Sequence, residues 1–134
     1  MDFVKMFNEE ILNDKGIYGI YVDDVLMYVG MTMDSFRKRF GSHRRHINDM
    51  INGRYNGNNR HLYTALAKYV NGWNNVEFRP LVCLSKLKIQ ETSARCNPRL
   101  TRRDVECMEL AFISYFRPVL NVQGMYTEYP LDRK

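Results

Sequence analysis

The chain has 134 residues, 45% of them apolar and 26% charged, and a net charge of +5. That length suits one domain, which buries about two-thirds of the surface its unfolded chain exposes. It contains no apolar run long enough to span a membrane, and its first twenty residues are too interrupted by charge for a signal peptide.

Asp2 caps a predicted helix over residues 2–12, in which Phe3, Phe7 and Ile11 recur every four residues. A hairpin follows, its strands expected at 17–22 and 25–30 as β-branched and aromatic runs around Asp23-Asp24. Asp34 or Ser35 caps the next helix, residues 35–50, whose stripe of Phe36, Phe40, Ile47 and Met50 should face the sheet. INGRYNGNN, at 51–59, reads as a loop, and Leu62, Ala65, Leu66 and Tyr69 mark a further helix closed by Asn71-Gly72. A third strand is expected over 76–84, with Pro80 at an edge or bulge, then mostly loop over 85–101. The last helix starts near Thr101 with the stripe Val105, Met108, Phe112, Ile113 and Phe116, and Pro118 lies just beyond its end. This order fits a single α/β domain over 1–134, with a small three-stranded, mainly antiparallel sheet flanked by helices.

Between residues 35 and 61, Arg37, Lys38, Arg39, Arg44, Arg45, Arg54 and Arg60 face only one acid, Asp49. Arg95, Arg99, Arg102 and Arg103 form a second basic block. Such surfaces are commonly just solvated, yet they suit a polyanionic partner. The three cysteines, Cys83, Cys96 and Cys107, form no C-x-x-C pair, so no zinc knuckle or closed disulfide framework is expected. A reducing, cytoplasmic interior is the simpler setting.

Two polar residues interrupt apolar stripes. On helix 35–50, at about 100° per residue, His43 falls within about 20° of Phe36, and Arg39 shares that side four residues earlier. An inward histidine is usually a satisfied core residue, but an arginine held near a sheet needs an anion, either a carboxylate of the chain or a ligand phosphate. On the last helix Glu109 stands among Met108, Phe112, Ile113 and Phe116. Its partner is either Arg39, in an ion pair, or a metal ion. His46 and His61 are expected at the surface, and Tyr63, Tyr69, Tyr115, Tyr126 and Tyr129 as ordinary core or surface aromatics.

In order along the chain, these residues resemble the GIY-YIG nuclease superfamily: Gly16-Ile17-Tyr18, then Tyr28-Val29-Gly30, Arg39 four residues before His43, Glu109 with Ile113, and Pro118 with Asn121. The likeness covers about residues 15–123. Val29 stands where the motif has isoleucine, and 85–101 looks like a lengthened loop. The resemblance implies a metal-dependent DNA endonuclease, of the stand-alone homing or phage kind, that leaves 5′-phosphate and 3′-hydroxyl ends. Glu109 would hold one Mg²⁺ or Mn²⁺ per active site, and Arg39 would bind the non-bridging phosphate oxygens. Tyr18 would orient or deprotonate the attacking water, with Tyr28 and His43 completing the hydrogen-bond network. Gly16, Gly30 and Asn121 would be structural, Asn121 fixing the end of the glutamate helix. Arg37, Lys38, Arg44, Arg45 and Arg60 would contact DNA. The alternative is a non-catalytic nucleic-acid-binding module using the basic helix 35–50; homo-oligomerisation is left open.

The tripeptide Gly-Ile-Tyr occurs twice, at 16–18 and 19–21. With a two-residue turn at Asp23-Asp24 and regular pairing, Tyr28 shares a face with Tyr21, not Tyr18. The resemblance selects Tyr18, which requires a bulge or a three-residue turn near Asp23. Tyr18 and Tyr28 are then expected to converge on Arg39 and Glu109, with Tyr21 packed elsewhere.

Overall fold

The computed structural model describes residues 9–87 and 100–121. Its elements are α1 (Glu9–Leu12), β1 (Gly16–Val22), β2 (Val25–Thr32), α2 (Phe36–Ile51), α3 (Arg60–Tyr69), β3 (Val76–Cys83), a 3-10 turn (Leu84–Lys86) and α4 (Arg102–Phe116). The α/β class and the three-stranded sheet are as expected: the strand order is β2-β1-β3 and both pairings are antiparallel. Residues 2–8 of the expected first helix, most of the expected 85–101 loop, and Tyr126 and Tyr129 lie outside the described residues.

Local chemistry sets the boundaries. Ser35 Oγ accepts the Lys38 backbone N–H at 3.1 Å to open α2. Thr101 and Asp104 exchange side-chain and backbone hydrogen bonds in a capping box that opens α4. Pro80, which cannot donate to a ladder, sits on edge strand β3 beside a bulge: Ile17 pairs with Val82 and Tyr18 with Pro80, leaving Leu81 extra. On the other edge, Asn121 binds the Val29 backbone of β2 through both ends of its amide, at 2.7 and 2.9 Å. Asn121 thus ties the segment after α4 to the sheet.

The hairpin turn has two residues. Asp23 and Asp24 have φ of 51° and 64°, as a type I′ turn requires of its two central positions. The three-residue alternative does not occur, but the bulge does. Ile20 pairs with Tyr28 and Tyr21 with Leu26, so Met27 is the inserted residue. That insertion reverses parity and puts Tyr18, Ile20 and Val22 on the same face as Tyr28 and Gly30. Tyr18 stands opposite Gly30, not opposite Tyr28. A Cβ at Gly30 would collide with the Tyr18 ring and hydroxyl, so the glycine makes room for the tyrosine. At Gly16, φ is +147° and a Cβ would overlap the Val82 carbonyl; both the backbone angle and the approach of β3 demand glycine there.

The two sheet faces carry separate cores. Tyr18, Ile20 and Val22 pack with Phe36, Phe40 and Ile47 of α2, Leu62, Tyr63 and Leu66 of α3, and Phe78 of β3. On the opposite face, Ile17 and Val29 meet Val105 of α4, flanked by Met108, Phe112 and Ile113. Tyr69 and Phe116 leave the expected stripes: they are 43% and 51% exposed. Both lie at the angle of their stripe but in the last residue of their helix, where the helix has outrun the surface it covers.

Candidate functional site

The α2 face of the sheet holds a buried polar chain. Tyr18 is wholly buried, and its hydroxyl lies 2.5 Å from His43 Nε2. Arg39 Nε donates to the same hydroxyl at 3.2 Å, and His43 Nδ1 is 2.9 Å from the Tyr63 hydroxyl. Four side chains from β1, α2 and α3 thereby form one line, Arg39–Tyr18–His43–Tyr63. The walls are aromatic: Phe40 meets Tyr18 edge-on at 5.6 Å between ring centroids, and Phe78 lies parallel to His43 at 6.1 Å. Tyr28 approaches His43 edge-on at 6.4 Å.

Burial controls the protonation of this chain. Desolvation, helped by the charges of Arg39 and His46, depresses the His43 pKa to about 3, so the ring is neutral at pH 7. Desolvation also raises the Tyr18 pKa well above the usual tyrosine value, with Tyr28 adding to it and Arg39 opposing it. Tyr63 is pushed up to about 12, again chiefly by burial. The resting hydroxyl of Tyr18 is therefore fully protonated, and Arg39 does not offset the burial.

Arg39 links this chain to an open cavity of about 540 Å³, lined by Met31, Thr32, Met33, Asp34, Arg39 and Arg102. The cavity lies where the end of β2 meets the starts of α2 and α4. Among the described residues, the terminal guanidinium nitrogens of Arg39 make no hydrogen bond, and they are the part of the side chain left to meet a ligand. Two arginines against one carboxylate, Asp34, give the cavity a positive balance. Its size lies within the range of small-ligand pockets.

Glu109 comes from α4, on the other face. It is partly buried, and desolvation together with the neighbouring Glu106 raises its pKa, while Arg39 and Arg102 pull it down. The carboxylate is thus within electrostatic reach of Arg39, but among the described residues it forms no ion pair within 4 Å. The ion pair between Glu109 and Arg39, one of the two partners expected for this carboxylate, does not form. A carboxylate burdened by burial and a like charge fits a divalent cation. Among the described residues no three His, Cys, Asp or Glu side chains cluster as a metal site.

Tyr18, Arg39 and His43 are joined directly, with Tyr28 adjacent, while Glu109 is coupled through space. Tyr21 lies on the opposite sheet face, where the Arg79 guanidinium stacks over its ring at 4.1 Å and reaches Asp24 and Glu77 at 2.8 and 2.9 Å. The other basic residues of α2 have different surroundings. Arg37 pairs with Glu9 and Arg44 stacks on Trp73 at 4.7 Å, whereas Lys38 pairs with Asp34 of the cavity lining at 3.8 Å and Arg45 is exposed. Arg60 is spent partly on the Tyr55 carbonyl, 3.4 Å away.

Sequence reasoning took Tyr63 for an ordinary aromatic and named Arg102 only within the second basic block. Tyr63 had a usable signal: on α3 it lies within about 60° of Leu66, inside the stripe, carrying a hydroxyl into a core that also receives His43. For Arg102 the basic block gave no place at the cavity, since that depends on how α4 crosses the sheet. No helix among the described residues is long and apolar enough to cross a membrane. Compared with known proteins, the chain matches no family model, no curated protein and no solved structure.

Proposed function

We propose that this chain is a metal-dependent DNA endonuclease, hydrolysing phosphodiester bonds to 5′-phosphate and 3′-hydroxyl ends, with the GIY-YIG likeness as its family. The observation that carries the reading is Arg39, which is bound by its Nε to a buried tyrosine–histidine chain while its side chain lines a positively balanced cavity. A phosphodiester in that cavity receives two charge-assisted hydrogen bonds from the Arg39 fork, and Arg102 adds a second cation. Arg39 thereby neutralises charge that grows on the non-bridging oxygens as water attacks. Mg²⁺ or Mn²⁺, held by Glu109, would supply further neutralisation and stabilise the departing 3′ oxygen. Tyr18 receives the proton of the attacking water only after a bound phosphate draws the Arg39 guanidinium outward, because Arg39 covers the hydroxyl at rest. Lys38 and Arg45 hold the flanking backbone; Arg37 and Arg44 contribute at longer range.

The test is plasmid nicking with Mg²⁺, comparing wild type with Arg39→Ala and Glu109→Ala. Both variants should lose cutting by 100-fold or more (about 2.7 kcal/mol or more of transition-state stabilisation). Cutting that survives both substitutions ends this reading.

The full burial of Tyr18, with its raised pKa, favours a second reading, a non-catalytic module that binds nucleic acid through α2. That module would bind DNA with a steep salt dependence and show no metal-dependent cutting.

A further inference from the structure

The hydrogen-bonding capacities of the buried chain fix which way its protons point. Arg39 can only donate. Among the described residues the Tyr18 hydroxyl meets just Arg39 Nε and His43 Nε2, so its own hydrogen has one acceptor, His43 Nε2. That nitrogen must be bare. The neutral ring then carries its hydrogen on Nδ1, which faces the Tyr63 hydroxyl at 2.9 Å. The opposite tautomer would leave the Tyr18 hydrogen without an acceptor in a wholly buried place, an arrangement folded proteins avoid.

We propose that Tyr63 is a positioning residue: by accepting the His43 Nδ1 hydrogen it holds His43 in the tautomer whose Nε2 can take a proton from Tyr18. This rests on the nuclease reading and supplies its missing step. Tyrosinate need never form. As the attacking water gives a proton to the Tyr18 oxygen, the Tyr18 hydrogen passes to His43 Nε2. One water O–H and one tyrosine O–H bond break, one tyrosine O–H and one N–H bond form, and the water oxygen keeps its electron pair for phosphorus. The resulting imidazolium has both N–H groups satisfied, one by Tyr18 and one by Tyr63. Among the described residues, the charged or titratable groups that face His43 are Arg39 and His46 of α2, Tyr18 of β1, Tyr28 of β2 and Tyr63 of α3.

Nitrogen-15 spectra of the histidine side chains at pH 7, with His43 assigned through His43→Gln, test the tautomer without requiring any cutting. Wild type should show hydrogen on Nδ1, and Tyr63→Phe should move it wholly or partly to Nε2. Hydrogen on Nε2 in wild type overturns the proposal, as does a folded Tyr63→Phe whose tautomer is unchanged. Should Tyr63→Phe fail to fold, the wild-type spectrum decides alone. In the nicking assay Tyr63→Phe should lower kcat at least tenfold with KM unchanged and alter the pH–rate profile; wild-type kcat and profile refute the catalytic role. A chain with the expected tautomer that never cuts refutes the nuclease reading and leaves the tautomer standing.

Discussion

The two faces of the sheet solve opposite problems. The α2–α3 face buries three hydrogen-bonding side chains, Tyr18, His43 and Tyr63, inside an aromatic core with Arg39 at its rim, and Phe40 at its centre stacks on Phe36 and Phe78 at 5.7 and 5.5 Å. Among the described residues the α4 face has a thinner core, with only Val105 of the helix fully buried and Leu110, Tyr115 and Phe116 exposed, and it carries Glu109 without an ion pair within 4 Å. A polar network placed in a rigid wall keeps one geometry; a carboxylate on a looser, wetter wall stays able to take up a ligand.

The sharpest way to break this contrast is to cut one aromatic from each face. Phe40→Ala should destabilise by about 3–5 kcal/mol, and Phe112→Ala, half-buried at the start, by less than half as much, both read by urea unfolding. Equal losses would show that the faces are equally packed.

Acid probes the same wall. The folded pKa of His43, about 3, lies below its ordinary value, so below pH 6.5 the unfolded chain binds more protons and stability falls, at about 1.4 kcal/mol per pH unit. From pH 7 to pH 4 this single group should cost about 3 kcal/mol, isolated as the part of the pH dependence that His43→Gln abolishes. Identical pH profiles for the two proteins would mean that His43 is not buried neutral.

Smaller effects follow at the seams. Asn121→Ala removes both hydrogen bonds to the Val29 backbone and should cost about 1–3 kcal/mol. Gly30→Ala should cost about 1–3 kcal/mol through collision with Tyr18, and it should disturb the His43 nitrogen spectrum. At Gly41 of α2 a Cβ meets nothing within 4 Å, so Gly41→Ala should stabilise by about 0.5–1 kcal/mol. A destabilising Gly41→Ala would argue against a regular exposed helix at that point.

Much of the fold was legible because its signals are local. Ser35 and Thr101 open helices by capping, Asp23-Asp24 turns the hairpin, and Pro80 announces an edge and a bulge; each acts within a few residues of itself. The stripe on α2 likewise placed His43 inside and Arg39 at its rim, since a helix converts spacing into direction. Helix length against sheet width is not local, which is why Tyr69 and Phe116 were misplaced.

What the sequence by itself determined was the identity of Arg39, His43 and Glu109 as polar residues within or beside apolar stripes; Tyr18 was selected over Tyr21 by the family resemblance alone. The sequence also determined that Tyr18 and Tyr28 could share a face only through an irregular register. Tertiary structure decided that the irregularity is the extra residue Met27, because a type I′ turn fixes one end of the hairpin while Gly30 must lie under Tyr18. It also decided that Arg39 binds Tyr18 in preference to Glu109, and that Tyr63 completes the chain. These outcomes depend on distances between elements far apart in sequence, which packing sets and spacing along the chain does not.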